Sequence, residues 1–442
     1  MSKRIGLLLL LMVFSILANA QDKLTYADVD KRSYELYLEN KWTELIALAT
    51  EAREQGIDFF YLQVRTAIAW YNQGKYRNAV PWFLKAYENN KTLDWLQEYV
   101  YYSLLYSGRH AEAAKYAAFF SDTIKNKIRF KETGLARLAY ETGYCVNSDY
   151  ENLKTRDFST EVNLGNDYGE AYLLKNYSFH SLDLSHRLAP NFLLNHNLTY
   201  IGVNRETVVD WSGQTSASVK TNQYQYYINP VWVIGEKLNI SPSLNLIFGS
   251  GNDYLGGLNN NLAKTFSFRK SKYSDAVFST SLWSDFGNFS PGFEFNTANV
   301  NDSKFTQLSS WVTYYPLSNT KLYVTPQVYF KSGSNGLDWN AIGVTGGAKI
   351  GKVFLNVNYL WGNMTNFVES NGYVVTNFPG STNRKLMLST YFPVGKKYQF
   401  VIRYINQKAD EKYQVYTSGI KSNSLEYNYS KNTLTAGISW NF

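Results

Sequence analysis

The last twelve residues, Lys431-Asn-Thr-Leu-Thr-Ala-Gly-Ile-Ser-Trp-Asn-Phe442, decide how the rest of the chain is read. Leu434, Ala436, Ile438, Trp440 and Phe442 fall on one face of an extended segment, and Thr433, Thr435, Gly437, Ser439 and Asn441 fall on the other. Successive side chains of a strand point to opposite faces, so this is a strand with one apolar side and one wet side. Three segments upstream have the same alternation. Leu238, Ile240, Pro242, Leu244, Leu246 and Phe248 alternate with Asn239, Ser241, Ser243 and Asn245, and Val353, Leu355, Val357, Tyr359 and Trp361 alternate with Asn356 and Asn358. Leu322, Val324, Pro326, Val328 and Phe330 alternate with Thr325, Gln327 and Lys331; Pro326 removes a ladder hydrogen bond and predicts a bulge there. Strands of a buried parallel sheet would read as continuous apolar runs instead.

Working outward, the period changes from helical to two near Tyr150, which predicts strands over residues 150–442. Short turns are expected near Ala189-Pro190, Gly235-Glu236-Lys237, Gly287-Asn288, Ser318-Asn319, Gly351-Lys352 and Gly395-Lys396. Longer polar links near 204–215, 251–271, 364–380 and 409–425 lie between them. Alternating short and long connections fit an antiparallel transmembrane β-barrel of about 12 to 14 strands, the larger number being preferred, with a first strand near Arg156 to Leu164. Such a barrel would have a lumen wider than the side-chain-filled eight-stranded kind. By alternation Glu294, Gln327, Lys331, Asn356, Asn358, Gln399 and Arg403 face the lumen.

The composition agrees with membrane insertion by strands. Of 442 residues 17% are aromatic and only 18% charged, which excludes a disordered or linker-dominated chain. One Cys excludes a disulfide framework and a four-Cys zinc site, and four His leave little for metal chemistry. No cofactor is expected, and Cys145 reads as a buried or junctional thiol. Residues 1–20 read as a secretory signal: basic Lys3 and Arg4, an apolar Ile5–Leu17, and a small-x-small site at Ala18-Asn19-Ala20. Residues 21–149 balance 17 Lys and Arg against 17 Asp and Glu, while 150–442 carry 25 against 19, a surplus of +6. That surplus is spread along the chain, so no nucleic-acid footprint is implied; anionic lipid headgroups or passing anions suit it better.

The region 21–149 repeats. Asn40-Lys41-Trp42, Gly74-Lys75-Tyr76 and Gly108-Arg109-His110 step by 34 residues, as do Ala79 and Ala113. Gly74 as the turn residue, Tyr76, Ala79, Phe83 and Ala86 resemble a tetratricopeptide repeat, with Gly108 and Ala113 in the following unit. A fourth half-repeat is expected as a helix over 132–142. Repeats of this kind stack into a solenoid whose concave face holds a peptide or protein. The same helices could serve only as a spacer or plug.

Catalytic groupings are thin. His180 and His186 share one face of a strand and Asp183 lies on the other; Ser181, Asp183 and a distant His196 are the only candidates for a barrel-wall hydrolase. There is no phosphate-binding Gly loop, paired-His metal motif or Ca-loop spacing.

A signal, tetratricopeptide-like helices and a barrel, in that order, resemble the YaiO-type outer-membrane proteins, and the order of parts is also similar to that of exopolysaccharide export porins. The terminal strand resembles that of bacterial outer-membrane barrels, in which Trp440 and Phe442 would belong to the insertion signal. The resemblance implies no enzymatic activity. It implies a barrel in contact with outer-membrane lipids and the barrel-assembly machinery, a periplasmic protein docked on the repeats, and a polysaccharide or anionic solute as cargo. The alternative is a non-conducting scaffold.

Overall fold

The computed structural model describes residues 23–442, apart from 236, 260–262, 334–335 and 396. The expected signal peptide, and parts of the turns at Glu236 and Lys396, lie outside the described residues. The chain divides into two compact units, one ending at Ser107 and one starting at Gly108.

The first unit is helical: α1 (Tyr26–Leu38), α2 (Trp42–Glu54), α3 (Phe60–Asn72), α4 (Tyr76–Asn89) and α5 (Asp94–Tyr106). The Thr25 hydroxyl caps α1 by accepting from the Asp28 amide. The helix starts Tyr26, Phe60 and Asp94 step by 34 residues, as do Trp42, Tyr76 and His110. Leu45, Leu62, Phe83, Leu96 and Leu104 are fully buried. Tyr71 is ringed by Tyr76, Phe83, Tyr99 and Tyr106, with Phe83 stacked on Tyr99 at 5.1 Å.

The second unit opens with α6 (His110–Ala117) and α7 (Asp122–Ile128) and continues into strands. These are β1 (Gly134–Asn147), then, after the short helices α8 (Tyr150–Lys154) and α9 (Phe158–Glu161), β2 (Tyr168–Ala189), β3 (Phe192–Asp210), β4 (Gln214–Ile234), β5 (Leu238–Leu258), β6 (Lys264–Trp283), β7 (Phe289–Val300) and β8 (Ser303–Tyr314). β9 (Leu322–Gly333), β10 (Gly336–Ile350) and β11 (Val353–Gly362) follow, then the small hairpin β12 (Phe367–Glu369) and β13 (Val374–Thr376), and finally β14 (Ser381–Val394), β15 (Tyr398–Thr417) and β16 (Ile420–Asn441). All but β12 and β13 form one closed antiparallel barrel, which among the described residues has 14 strands. β1 closes it on β16, from Arg137↔Asn441 to Asn147↔Lys431.

The alternation of β5, β9, β11 and β16 decides which way their side chains point. Leu238, Leu244, Phe248, Val357, Trp361, Leu434 and Ile438 are exposed on the outer face, while Asn239, Ser241, Ser243, Asn245 and Asn358 are buried on the inner one. At the short-turn end aromatic pairs gather: Phe192 on Trp232 at 4.5 Å, Phe289 on Tyr314 at 5.0 Å and Trp440 on Phe442 at 4.4 Å. An apolar outer band with an aromatic girdle is what hydrocarbon requires of a spanning barrel.

The wall is uneven. β2 to β6, β15 and β16 run for 19 to 22 residues, whereas β7 to β11 and β14 run for 10 to 15. About 9 to 11 residues cross a bilayer, so the first group projects well beyond it.

Several sequence expectations are corrected. Residues 132–142 are not a helix: Gly134–Asn147 is β1, so the barrel begins there rather than near Tyr150. Pairing on both sides, with β16 and β2, overrides the local helical pattern of Leu135-Ala136-Arg137-Leu138. The stretch from Arg156 to Leu164, expected as the first strand, holds α9. Three of the four long links are strand ends: β3 and β4 meet across 211–213, β5 and β6 across 259–263, and β15 and β16 across 418–419. Pro326 makes no bulge; the β9–β10 register passes through Pro326↔Val344 unshifted and slips only between Trp339 and Ala341. Against β8 the pairs Trp311↔Gln327 and Tyr314↔Val324 keep one register. An unpaired proline level is therefore tolerated without an extra residue.

Candidate functional site: the lumen and its inward hairpin

The fourth long link, residues 363–380, is the one that shapes the site. It leaves the long-loop end of β11, turns down into the barrel as the β12–β13 hairpin and returns to β14. Its tip lies against Ser241, only three residues from the short-turn end of β5. At about 3.3 Å per residue that is roughly 10 Å from the end of the wall, so the hairpin runs down most of the lumen. Ser370, Asn371 and Gly372 all take left-handed backbone, with φ of 55°, 57° and 79°. Only glycine fits the last position without cost, since an added Cβ would lie 2.6 Å from the Ser279 hydroxyl.

Polar groups from opposite walls hold the tip. The Asn371 amide N–H donates to Glu294 at 2.8 Å, its side-chain amide donates to the Ser241 carbonyl at 2.8 Å, and its carbonyl accepts from Tyr227 at 3.1 Å. Asn245 donates to the Gly372 carbonyl at 2.9 Å. The Tyr373 hydroxyl donates to Asp183 at 3.1 Å and accepts from Asn197. Gln307 pairs with Val368 through both carbonyl and amide, and Asn377 donates to Gln223 and Asp275. On the remaining side Lys331 donates to the Thr365 and Asn366 carbonyls at 2.6 and 3.1 Å, and Lys385 pairs with Glu369 at 2.8 Å. Apolar contact comes from Val368 against Val277, Val300 and Phe305, from Phe367 against Tyr329 and Leu360, from Tyr373 edge-on to Tyr227 at 5.2 Å, and from Phe378 against Tyr429 at 6.3 Å.

A second insertion sits where β1 stops at Asn147 while its neighbours continue. Residues 148–167 pack Tyr150, Leu153, Phe158 and Leu164 against Ala171, Leu173, Val208, Tyr413 and Tyr427, forming the largest apolar cluster of the barrel unit among the described residues. Phe158 is fully buried and stacks on Tyr413 at 5.1 Å. Above this seam β15 pairs directly with β2, at Gln414↔Glu170 and Tyr416↔Tyr168. A recess of about 530 Å³ opens nearby, lined by Glu170, Tyr172, Asp410, Glu411 and Tyr416 and by Thr365 and Gly380 at the base of the hairpin.

Of the lumen residues expected from sequence, Glu294 and Lys331 touch the hairpin. Asn356 donates to Tyr323 at 2.8 Å, Asn358 donates to Thr345 at 2.8 Å, and Arg403 pairs with Glu141. Gln327 packs over Gly343, and Gln399 stands between Pro393 and Ser439 in the ladder. Sequence reasoning missed Lys385 and Lys431, although each lies on the wet side of an alternating strand, and it missed Gln307 and Asn245 as hairpin anchors. Ser181 and Asp183 point inward and bond Asn197, whereas His196 lies on the other face against His186 and Tyr226, so the hydrolase grouping does not assemble. Cys145 is a buried free thiol. In the helices Gly74 has φ +70° after α3, Gly108 has φ +87° before α6, and Ala79, Phe83, Ala86 and Ala113 are buried. Tyr76 meets Tyr71 edge-on at 5.0 Å. Trp440 stacks between Tyr398 and Phe442, and the Phe442 amide donates to the Ala136 carbonyl.

At the short-turn end, the segment carrying α6 meets the barrel turns. Lys115 donates to the Gly235 carbonyl, and Arg187 lies over Phe130 at 5.6 Å. Burial lowers the His110 imidazole below its usual range and raises the Glu112 carboxyl above its own, the latter against the opposing pull of Arg109.

No family model matches the chain, and no curated protein matches it. Solved structures similar to it include a FadL homologue from Pseudomonas aeruginosa, 8% identical over 71% of this chain and 91% of that one, with a TM-score of 0.43. The toluene transporter TodX of P. putida is 11% identical over 70% and 90%, with a TM-score of 0.44. The translocator domain of the autotransporter NalP from Neisseria meningitidis is 10% identical over 77% and 99%, with a TM-score of 0.30.

Proposed function

We propose that the protein is an outer-membrane conduit for small polar solutes, closed by its own β12–β13 hairpin. The observation that carries this is how the hairpin is held: a strand pair runs down the lumen and is fixed there mainly by hydrogen bonds, which water can replace. Ser370 and Asn371, both left-handed without being glycine, add backbone strain at its tip that the wall contacts offset, the arrangement expected of a segment with two positions. The inner face it leaves behind is lined by Ser241, Ser243, Asn245, Ser279, Ser281 and Asn296, a surface that suits polar rather than apolar passengers. In this reading the short-turn end of the barrel faces the periplasm, and the repeat-like helices dock a periplasmic protein, with Gly74, Tyr76, Ala79, Phe83, Ala86, Gly108 and Ala113 shaping turns and helix packing. Polymer export is not part of it.

The seam cluster favours a second reading, a non-conducting anchor, since that apolar packing will not leave on its own. Planar-bilayer conductance separates the two. The intact protein should show rare, brief openings, and a version with residues 364–378 replaced by a short Gly-Ser bridge should show steady current. Absence of current in the shortened, folded barrel would leave the anchor reading.

A further inference from the structure

We propose that Lys331, Lys385 and Lys431 form an oxyanion-binding site in the open barrel, and that in the closed one the hairpin occupies it with acceptors of its own. The inference rests on the conduit reading and names the class of solute that passes. It starts from a fact of sequence: residues 363–380 contain one ionisable charge, Glu369. That carboxylate is seated on Lys385, with both side chains about a tenth exposed. Lys331 donates to two hairpin carbonyls, and Lys431 lies 4.1 Å from the ring centre of Phe378 on the returning arm. All three lysines project inward, Lys331 and Lys385 from near the long-loop ends of β9 and β14 and Lys431 from the middle of β16, and all three meet the hairpin. Lys385 and Lys431 both stand opposite Gln407 in the ladder, on either side of β15, so they are about two strand spacings, or roughly 10 Å, apart.

What the hairpin takes with it differs between the signs of charge. Asp183, Glu294 and Asp275 accept from the hairpin but also from the wall or its turns: Asn197 on Asp183, Ser281 and Asn296 on Glu294, and the Asn301 amide on Asp275. Glu411, on β15 four residues beyond the Gln407 that stands opposite Lys431, stays bound to Arg205, Tyr427 and Tyr429. The lysines keep much less. Lys385 loses its carboxylate; Lys331 loses its carbonyls and keeps the Phe305 ring at 4.1 Å and Asp338 opposite it in the β9–β10 ladder; Lys431 retains a contact of 3.4 Å to the Thr382 hydroxyl. A partly buried ammonium without an acceptor is costly, so the vacated lumen recruits a replacement anion. The ligand is a small oxyanion, carboxylate- or phosphate-bearing, and Glu369 is its tethered competitor.

Reversal potentials in a KCl gradient test this on three proteins: the intact chain, the barrel shortened across 364–378, and the shortened barrel with Lys331→Gln, Lys385→Gln and Lys431→Gln. The shortened barrel should favour chloride over potassium several-fold, and the triple variant should lose that preference. Inorganic phosphate and acetate are then added as blockers. Block by phosphate alone assigns phosphate-bearing solutes, block by both assigns carboxylates as well, and block by neither overturns the site. Equal selectivity with and without the lysines also overturns it while leaving the conduit standing. No current through a folded, shortened barrel overturns both. Because shortening could impair folding, Glu369→Gln in the intact chain gives a second reading: it should raise chloride current, and an unchanged current counts against the site.

Discussion

Two insertions occupy the barrel, and they are held by opposite kinds of force. Residues 148–167 fill the seam above β1 with Tyr150, Leu153, Phe158 and Leu164, a cluster whose stability comes from burial and does not depend on any one partner. Residues 363–380 run down the lumen and are fixed mostly by hydrogen bonds to β2 through β9 and β14. Each such bond contributes little net free energy but costs more when one partner is removed, so the second insertion docks in a defined geometry and remains exchangeable with water. The difference teaches that a filled lumen need not be a permanently shut one. One insertion belongs to the wall, and the other rests against it.

The largest loss is expected at Phe158. Phe158→Ala should cost about 3–5 kcal/mol, because a ring stacked on Tyr413 leaves a cavity when removed. Urea unfolding of protein refolded into lipid vesicles would show the loss, and conductance should change little in whatever fraction still folds. Glu369→Gln should act the other way round. Stranding Lys385 without its carboxylate disfavours the docked hairpin by about 3 kcal/mol, while the unfolding midpoint of the barrel stays nearly fixed; a midpoint that falls as far as that of Phe158→Ala would show that the hairpin is structural. Asn371→Ala removes the side-chain bonds to Ser241 and Ser281 and should weaken docking by about 2 kcal/mol, seen as a higher frequency of openings. Tyr373→Phe is the mildest: Asp183 keeps Asn197, so about 1 kcal/mol is expected, measurable as faster amide exchange at Gly372 and Tyr373.

Alternation along single strands made the barrel legible, because a residue's face depends only on its parity. That is why β5, β9, β11 and β16 could be read off. β1 was hidden by the phase of the helical repeats before it, although Leu138, Tyr140, Tyr144 and Val146 already alternate; the pairing that overrides the helix comes from Asn432 to Asn441, far along the chain. The hairpin was illegible for a related reason. Its polarity fits a solvent loop equally well, and what turns it inward is a set of partners 16 to 190 residues away, from Lys385 to Asp183. Lys385 and Lys431 are marked only as wet-side residues, and their convergence on one hairpin exists only in three dimensions.

The closing seam sets a condition on how the molecule is made. β1 pairs with β16, and the last amide of the chain, that of Phe442, bonds near the start of β1 at Ala136. The first strand therefore has both neighbours only once β16 has docked, and until then the sheet has two open edges able to pair with other chains. Contacts of such sequence separation form slowly. A truncation of only the last dozen residues should then produce an aggregating chain rather than a slightly smaller barrel.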